Sequence, residues 1–583
     1  MFSSPMLPAL LLTTTSLLLP AVVHADTLRY GKTPNGFSAP ARGWTSSALQ
    51  SLSGDAKFVL NQANVIEQCD AMRAALGAYG YEYCALDAGW SLAGRGDDEH
   101  GRIAYDPDLF DLPALAEHLH GGGAKLGVYV LPGYFAADAD KTIEGTDGVP
   151  LSAIRADNED EPCRAMSRCD IDYNKTGAQE WCNSNVKQFA DWGVDLIKLD
   201  YVTPGSPDAG ADLSRDNSGS VACYHKAIQA SGRKMRLHVG YELDVNTTYY
   251  DIWRSNADAL RTSRALTAPN QTTLTQWSSV QRAIERYRQY ILPRLDSADL
   301  LTIHPDLDAL PVGASAALTG LTDTQQRAVL THWIGAGSPL LLGTDATTLT
   351  TTLLAHPVAN AVAAFTAVHP MVPTAGNANA QKGQQRQVWL AGPDPGTGVV
   401  VAVLANYGAG GAARDLFASE PDDADQVFRI SPKDLGLASS GYYAVEDVWG
   451  GTTVDLGYDD VWTWTLDREG AAALLRLTPS MTGDGNDTDA TTADATAEAQ
   501  AEAQQGKRDL EAPQKALFVQ YDERVLTSAT TASGQATATA AASAERTDSA
   551  SDASSAVVGT TSWAKVSLWL SVAGLQTAML WLL

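Results

Sequence analysis

Between residues 40 and 345, short apolar runs alternate with longer stretches whose apolar positions recur at helical spacing. The runs YEYCALD (81–87), KLGVYVL (125–131), VDLIKLD (194–200), MRLHVGY (235–241), ALRTS (259–263), DLLTIHP (299–305) and SPLLLGT (338–344) have the length and composition of strands. An opening strand over 42–47 brings the number to eight. Strands separated by amphipathic helices predict βαβ crossovers and a parallel sheet, and eight units over about 300 residues predict a (β/α)8 TIM barrel rather than an open doubly wound sheet. No Gly-x-Gly-x-x-Gly follows the first strand, so a dinucleotide site has no support.

Past residue 375 the helical spacing fades into QVWLAG, GVVVAVLANY, GYYAVEDVWGG and AAALLRLTP, separated by Gly- and Pro-rich turns. These predict antiparallel strands and a C-terminal β-sandwich over 376–479, after a barrel over 26–375. No internal repeat is present. Residues 480–562 are dominated by Ala, Thr, Ser, Asp and Glu, which bury too little apolar surface to fold and predict a disordered stalk. The uncharged apolar tail within 563–583, with small residues such as Ser549, Ala550 and Ser551 upstream, has the pattern of a GPI-anchor signal or membrane tail. Residues 1–25, apolar over 7–23 and ending in Val-His-Ala, have the pattern of a signal peptide. Export to the cell surface or beyond follows as an expectation.

Charge narrows the partners. A formal net charge of −27 argues against nucleic acid and against an anionic lipid surface, leaving the C-terminal anchor as the expected membrane contact and a neutral carbohydrate as the expected partner. All six cysteines precede residue 224, and in an exported chain they are read as disulfides of undetermined connectivity. Asn174, Asn246, Asn270 and Asn486 head Asn-x-Thr sequons.

In a TIM barrel, catalytic side chains project from the C-terminal ends of strands. Here those ends are rich in acids: Asp87, Asp200 with Lys198, Glu242, Asp306 with Asp308, and Asp345. Trp44, Trp90 and Tyr129 lie nearby and offer ring faces to a sugar. Paired carboxylates are what glycoside hydrolysis requires, one as nucleophile and one as proton donor. His238 and His304 also fall at strand ends, but neither sits in a His-x-His or His-Glu-x-x-His spacing, so no metal and no cofactor is expected.

Several segments, in order, resemble glycoside hydrolase family 27, the α-galactosidase family. They are RGWTSSALQ, GYEYCALDAGW, GRIAYDPDLF, LAEHLHGGGAKLGVYV, ADWGVDLIKLDY and SPLLLGTD, and they span about 41–346. The resemblance implies that Asp200 is the nucleophile of a retaining mechanism. It also implies that Lys198 bonds sugar hydroxyls, and that Trp44, Asp87, Tyr129, Glu242, Arg261 and Asp306 line the sugar site. Two departures stand out. The second Asp of the family's Asp-Asp-Gly-Trp is Ala88, and the seventh-strand motif reads HPDLDALPVG. The family's Trp-Arg-x-x-x-Asp acid/base signature fits in two registers. WRSNAD makes Asp258 the acid, whereas ALRTSRAL makes Arg261 the signature arginine and puts Ala265 where the acid belongs. The expected function is retaining hydrolysis of terminal α-galactosyl or related α-linked sugars. The alternative is a catalytically impaired carbohydrate-binding or cell-wall protein on the same barrel.

Overall fold

The computed structural model describes residues 28–54, 57–96, 98–157, 163, 168–202, 216–240, 243–295, 299–374, 383–408, 423–439, 441–468 and 470–480. The expected signal peptide, stalk and anchor signal lie outside the described residues. Eight parallel strands run β1 (Arg42–Thr45), β2 (Tyr83–Leu86), β3 (Lys125–Val130), β4 (Val194–Leu199), β5 (Arg236–Val239), β6 (Ala259–Arg261), β7 (His304–Asp306) and β8 (Leu340–Leu342). Each is followed by a main helix: α1 (Gln62–Leu76), α2 (Leu112–Gly121), α3 (Ala178–Asp191), α4 (Gly219–Ser231), α5 (Thr247–Asn256), α6 (Trp277–Ile291), α7 (Asp323–Ala336) and α8 (Pro357–Thr366). The strands pair in sequence, with β8 beside β1, and the ring closes through a parallel bridge between Leu310 and Leu342. The fold is the expected TIM barrel.

Strand β4 shows why these sequences build a barrel and not an ordinary sheet. Ile197 and Leu199 pack outward in the layer shared with the helices, while Leu196 belongs to a small cluster with Ala41 and Tyr83 inside the barrel floor. With period two, Lys198 and Asp200 follow Leu196 up the inner face. Helix ends are set locally. Thr322 and Gln325 form a capping box before α7, and Gly337 ends that helix at φ 64°.

Only the end of the expected run 299–305 enters the barrel. Leu301 instead bridges Tyr30 of the N-terminal segment beneath it. Cys69–Cys84 ties α1 to β2, Cys182–Cys223 ties α3 to α4, and Cys163–Cys169 closes a short loop.

The C-terminal part is antiparallel, as expected. Six strands lie in the order β9 (Val372–Pro373), β10 (Arg386–Ala391), β11 (Val400–Asn406), β16 (Ala471–Ser480), β13 (Tyr442–Asp447) and β14 (Thr452–Gly457). The pair β12 (Gln426–Ile430) and β15 (Trp462–Leu466) covers one face. Along β11, Val400, Ala402 and Leu404 face that pair, whereas Val401, Val403 and Ala405 belong to the barrel's own core. Burial on both faces explains the unbroken apolar run VVAVLA.

Candidate active site

The inner faces of β2, β3, β4, β6 and β7 converge at the C-terminal mouth of the barrel. Asp200 follows the last residue of β4, is 8% exposed, and receives the Tyr201 N–H on Oδ1 at 2.9 Å. Tyr201 adopts φ 55°, a left-handed conformation costly for a tyrosine, which points that N–H at the carboxylate. The Tyr129 ring lies beside the same carboxylate, whose charge adds to burial in raising the phenol pKa. Across from it, Gly240 ends the inner face of β5. A Cβ there would lie 2.7 Å from Asp200 Oδ1, so glycine makes room for the carboxylate.

Two ion pairs flank Asp200. Lys198 Nζ lies 2.7 Å from Asp87 Oδ2 and 5.3 Å from the centre of the Tyr129 ring. Arg261, at the end of β6, reaches Asp306 Oδ2 at 3.2 Å through Nε and Asp308 Oδ1 at 2.9 Å through Nη1. Burial raises the Asp200 pKa above the ordinary carboxylate range, and nearby Asp87 adds to the rise while Lys198 opposes it. Burial also pushes Asp87 up, but the Lys198 charge and hydrogen bond more than offset it and leave Asp87 below that range. Asp306 is likewise lowered, its burial outweighed chiefly by Arg261. For Lys198 and Arg261, burial acts to lower the pKa but the facing carboxylates win, and both are held above their ordinary values. The mouth thus holds two cations, three carboxylates paired with them (Asp87, Asp306 and Asp308), and a fourth carboxylate, Asp200, whose pKa is raised.

Six of the expected site residues therefore come together: Asp87, Tyr129, Lys198, Asp200, Arg261 and Asp306. Glu242 lies outside the described residues.

Trp44 does not join them. It shares the outer face of β1 with Arg42, is fully buried, donates Nε1–H to the Thr344 carbonyl at 3.0 Å and meets Phe58 edge-on. The reason is the strand's alternation, which turns Gly43 inward and Trp44 toward the helices.

Asp258 does not join them either. It precedes β6 and its carboxylate receives the Leu237 N–H at 2.7 Å, the Asn35 N–H at 3.2 Å and the Asn35 side-chain amide at 2.9 Å, all at the N-terminal end of the barrel. Three residues of strand separate it from Arg261, roughly 10 Å, against the roughly 5 to 5.5 Å of a retaining carboxylate pair. The WRSNAD register fails for a visible reason. Trp253 and Arg254 belong to α5, and Arg254 pairs with Asp251 on the surface. Arg261 is the arginine at the mouth, and Ala265 lies exposed in the loop beyond it.

The sequence reading passed over several supporting residues. Asp308, at φ 86°, was visible as a strand-end acid but not as a partner of Arg261, and it also accepts the Leu266 N–H at 2.6 Å. Ser46 accepts the Asp87 N–H at 2.8 Å and donates to Gln50 at 2.6 Å, while Gln50 holds the Ala88 carbonyl at 2.9 Å. His238 and His304 fill the barrel interior, where burial drives both down to about 3 and keeps them neutral.

No family model matches the chain. The chain is 36% identical over 469 residues to α-galactosidase 3 of Hypocrea jecorina, covering 77% of this chain and 72% of that one. It is 32% identical over 398 residues to putative α-galactosidase 8 of Emericella nidulans, covering 66% and 77%. Among solved structures, the fold matches a family 27 β-L-arabinopyranosidase from Geobacillus stearothermophilus with a TM-score of 0.60 at 20% identity, over 77% of this chain and 98% of that one. It also matches the Saccharomyces cerevisiae α-galactosidase with a TM-score of 0.53 at 15% identity, over 77% and 100%. The chain is a glycosidase, and it belongs to glycoside hydrolase family 27.

Proposed function

We propose that the chain hydrolyses terminal α-galactosyl or closely related α-linked sugars with retention, Asp200 forming the glycosyl-enzyme bond. The observation that carries this reading is the Asp200 carboxylate at the end of β4, held by the Tyr201 N–H and set between the Lys198–Asp87 and Arg261–Asp306 pairs. The flanking charges suit the hydroxyls of a neutral pyranose, because carboxylates accept and the two cations donate. The two fungal relatives support galactose as the sugar. Ala88 withholds one carboxylate that a strict galactose site would use, which favours tolerance of related sugars. Three disulfides fit action in the secretory pathway or outside the cell.

The acid/base step sets the rate. With Ala265 in the acid position and Asp258 engaged at the far end, departure of a poor leaving group lacks a proton donor among the described residues. General acid catalysis contributes about a hundred- to ten-thousand-fold, so turnover depends steeply on the leaving group. Aryl α-galactosides of graded phenol acidity test this. Rates rise with phenol acidity, vanish in Asp200→Asn, and lose their dependence on the leaving group in Ala265→Asp. Flat rates across the series sink the missing-acid reading, and full activity in Asp200→Asn sinks the nucleophile. Sugar binding without turnover of any glycoside establishes the carbohydrate-binding alternative, which Ala265 also favours.

A further inference from the structure

Outside the barrel wall, the connection from β2 to α2 and the C-terminal end of α3 enclose a groove of about 400 Å³ lined by Asp98, Arg102, Tyr105, Gln188, Asp191 and Trp192. We propose that this groove is a second carbohydrate site, separate from the barrel mouth, that holds a neutral oligosaccharide. The proposal rests on the chain being a glycosidase and not on its preference for galactose.

Tyr105 and Trp192 meet edge to face, with ring centres 5.2 Å apart at 68°, and form an aromatic corner. Both are half-buried, so each keeps ring surface toward the groove. A pyranose presents a C–H face to such rings and hydroxyls to the polar groups beside them, and phenol and indole N–H supply polar tips next to the apolar faces. The charges select against an anion. Arg102 is neutralised by Asp98 at 2.5 Å through Nε and Glu144 at 2.8 Å through Nη1, and Lys187 pairs with Asp191 at 2.5 Å. Gln188 spends its amide N–H on the Ile103 carbonyl at 2.8 Å, so its oxygen and Asp191 Oδ1 remain as acceptors among the lining groups, which suits sugar hydroxyls and disfavours phosphate or sulfate. The volume falls in the range of small-ligand sites, about 300 to 1,000 Å³.

The groove is not an extension of the catalytic pocket. Trp192 packs edge-on against Trp90 at 6.5 Å, and Trp90 donates Nε1–H to the Tyr129 carbonyl at 2.8 Å. Trp90 and β3 therefore stand between the groove and the Tyr129 side chain beside Asp200. A glycan held there keeps the enzyme on its polymer while the mouth remains free for chain ends, which raises the local concentration of substrate.

Affinity electrophoresis of the full chain through galactomannan tests the proposal, with Asp200→Asn as background so that the polymer is not digested. The background protein is retarded, and adding Tyr105→Ala or Asp191→Ala weakens the apparent affinity at least about fivefold. Asp191 is exposed, so its substitution does not threaten folding. Without the Asp200 change, both substitutions leave kcat/KM on an aryl α-galactoside within about twofold. Equal retardation of all three proteins, or none for the background protein, overturns the proposal. Failure to hydrolyse the aryl glycoside counts against the catalytic reading alone, because retardation reads binding.

Discussion

The two ends of the barrel each carry a buried aspartate whose pKa burial raises, and the two do different work. Asp258, at the N-terminal end, is 1% exposed, and three N–H groups from Leu237 and Asn35 converge on its oxygens. It fastens the N-terminal segment across the barrel floor. Asp200, at the C-terminal end, has one backbone donor, the Tyr201 N–H, and otherwise faces Tyr129 and the flanking ion pairs at the mouth. A carboxylate whose lone pairs are consumed by the fold stabilises structure. One left with lone pairs at an open mouth is free, once ionised, to attack carbon.

Breaking the comparison starts with the nucleophile. Asp200→Asn is expected to lower kcat on an activated α-galactoside by at least about a thousandfold while leaving thermal unfolding nearly unchanged. The opposite pattern is expected of Asp258→Ala, which strands three buried donors at about 1 kcal/mol or more each and so destabilises by roughly 3 kcal/mol. Urea titration reads that loss, and kcat of the folded fraction should stay close to the parent's. If Asp258→Ala instead abolishes turnover in a fully folded protein, the assignment of the two ends is wrong.

Gly240→Ala is a smaller, local perturbation of the mouth. Its methyl would press on Asp200 Oδ1 and is expected to lower kcat about tenfold with little change in stability, read by kinetics beside a melting curve. The mildest expected effect is on pH. Asp200 must be ionised to attack, and burial raises its pKa, so activity falls with decreasing pH sooner than for an ordinary aspartate. Lys198 opposes that rise, and Lys198→Met should therefore move the acid limb of the pH–rate profile further upward. A limb that stays put or moves down removes Lys198 from the electrostatics of Asp200.

Much of this was legible in sequence because its signals are local. Strand β4 announces itself through VDLIKLD, and the alternation in that run already puts Lys198 and Asp200 on one face. The same rule, applied to RGWT, separates Gly43 from Trp44 but does not say which of the two faces the barrel encloses, so the motif alone placed Trp44 in the site. The three weak strands β12, β14 and β15 were not foreseen. Each has an exposed face, and their polar alternation resembles that of a loop.

The sequence by itself determined the (β/α)8 order, the antiparallel domain after it, and the strand-end positions of Asp87, Lys198, Asp200 and Asp306. These depend on hydrophobic period and on short motifs, which neighbours in the chain specify. Only the tertiary structure decided that Asp258 serves the floor and Arg261 the mouth. It also decided that Asp308 clamps Arg261 and that Gly240 clears space for Asp200. Those facts depend on which residue begins a three-residue strand and on contacts between segments some 40 to over 200 residues apart, and a one-dimensional pattern carries neither.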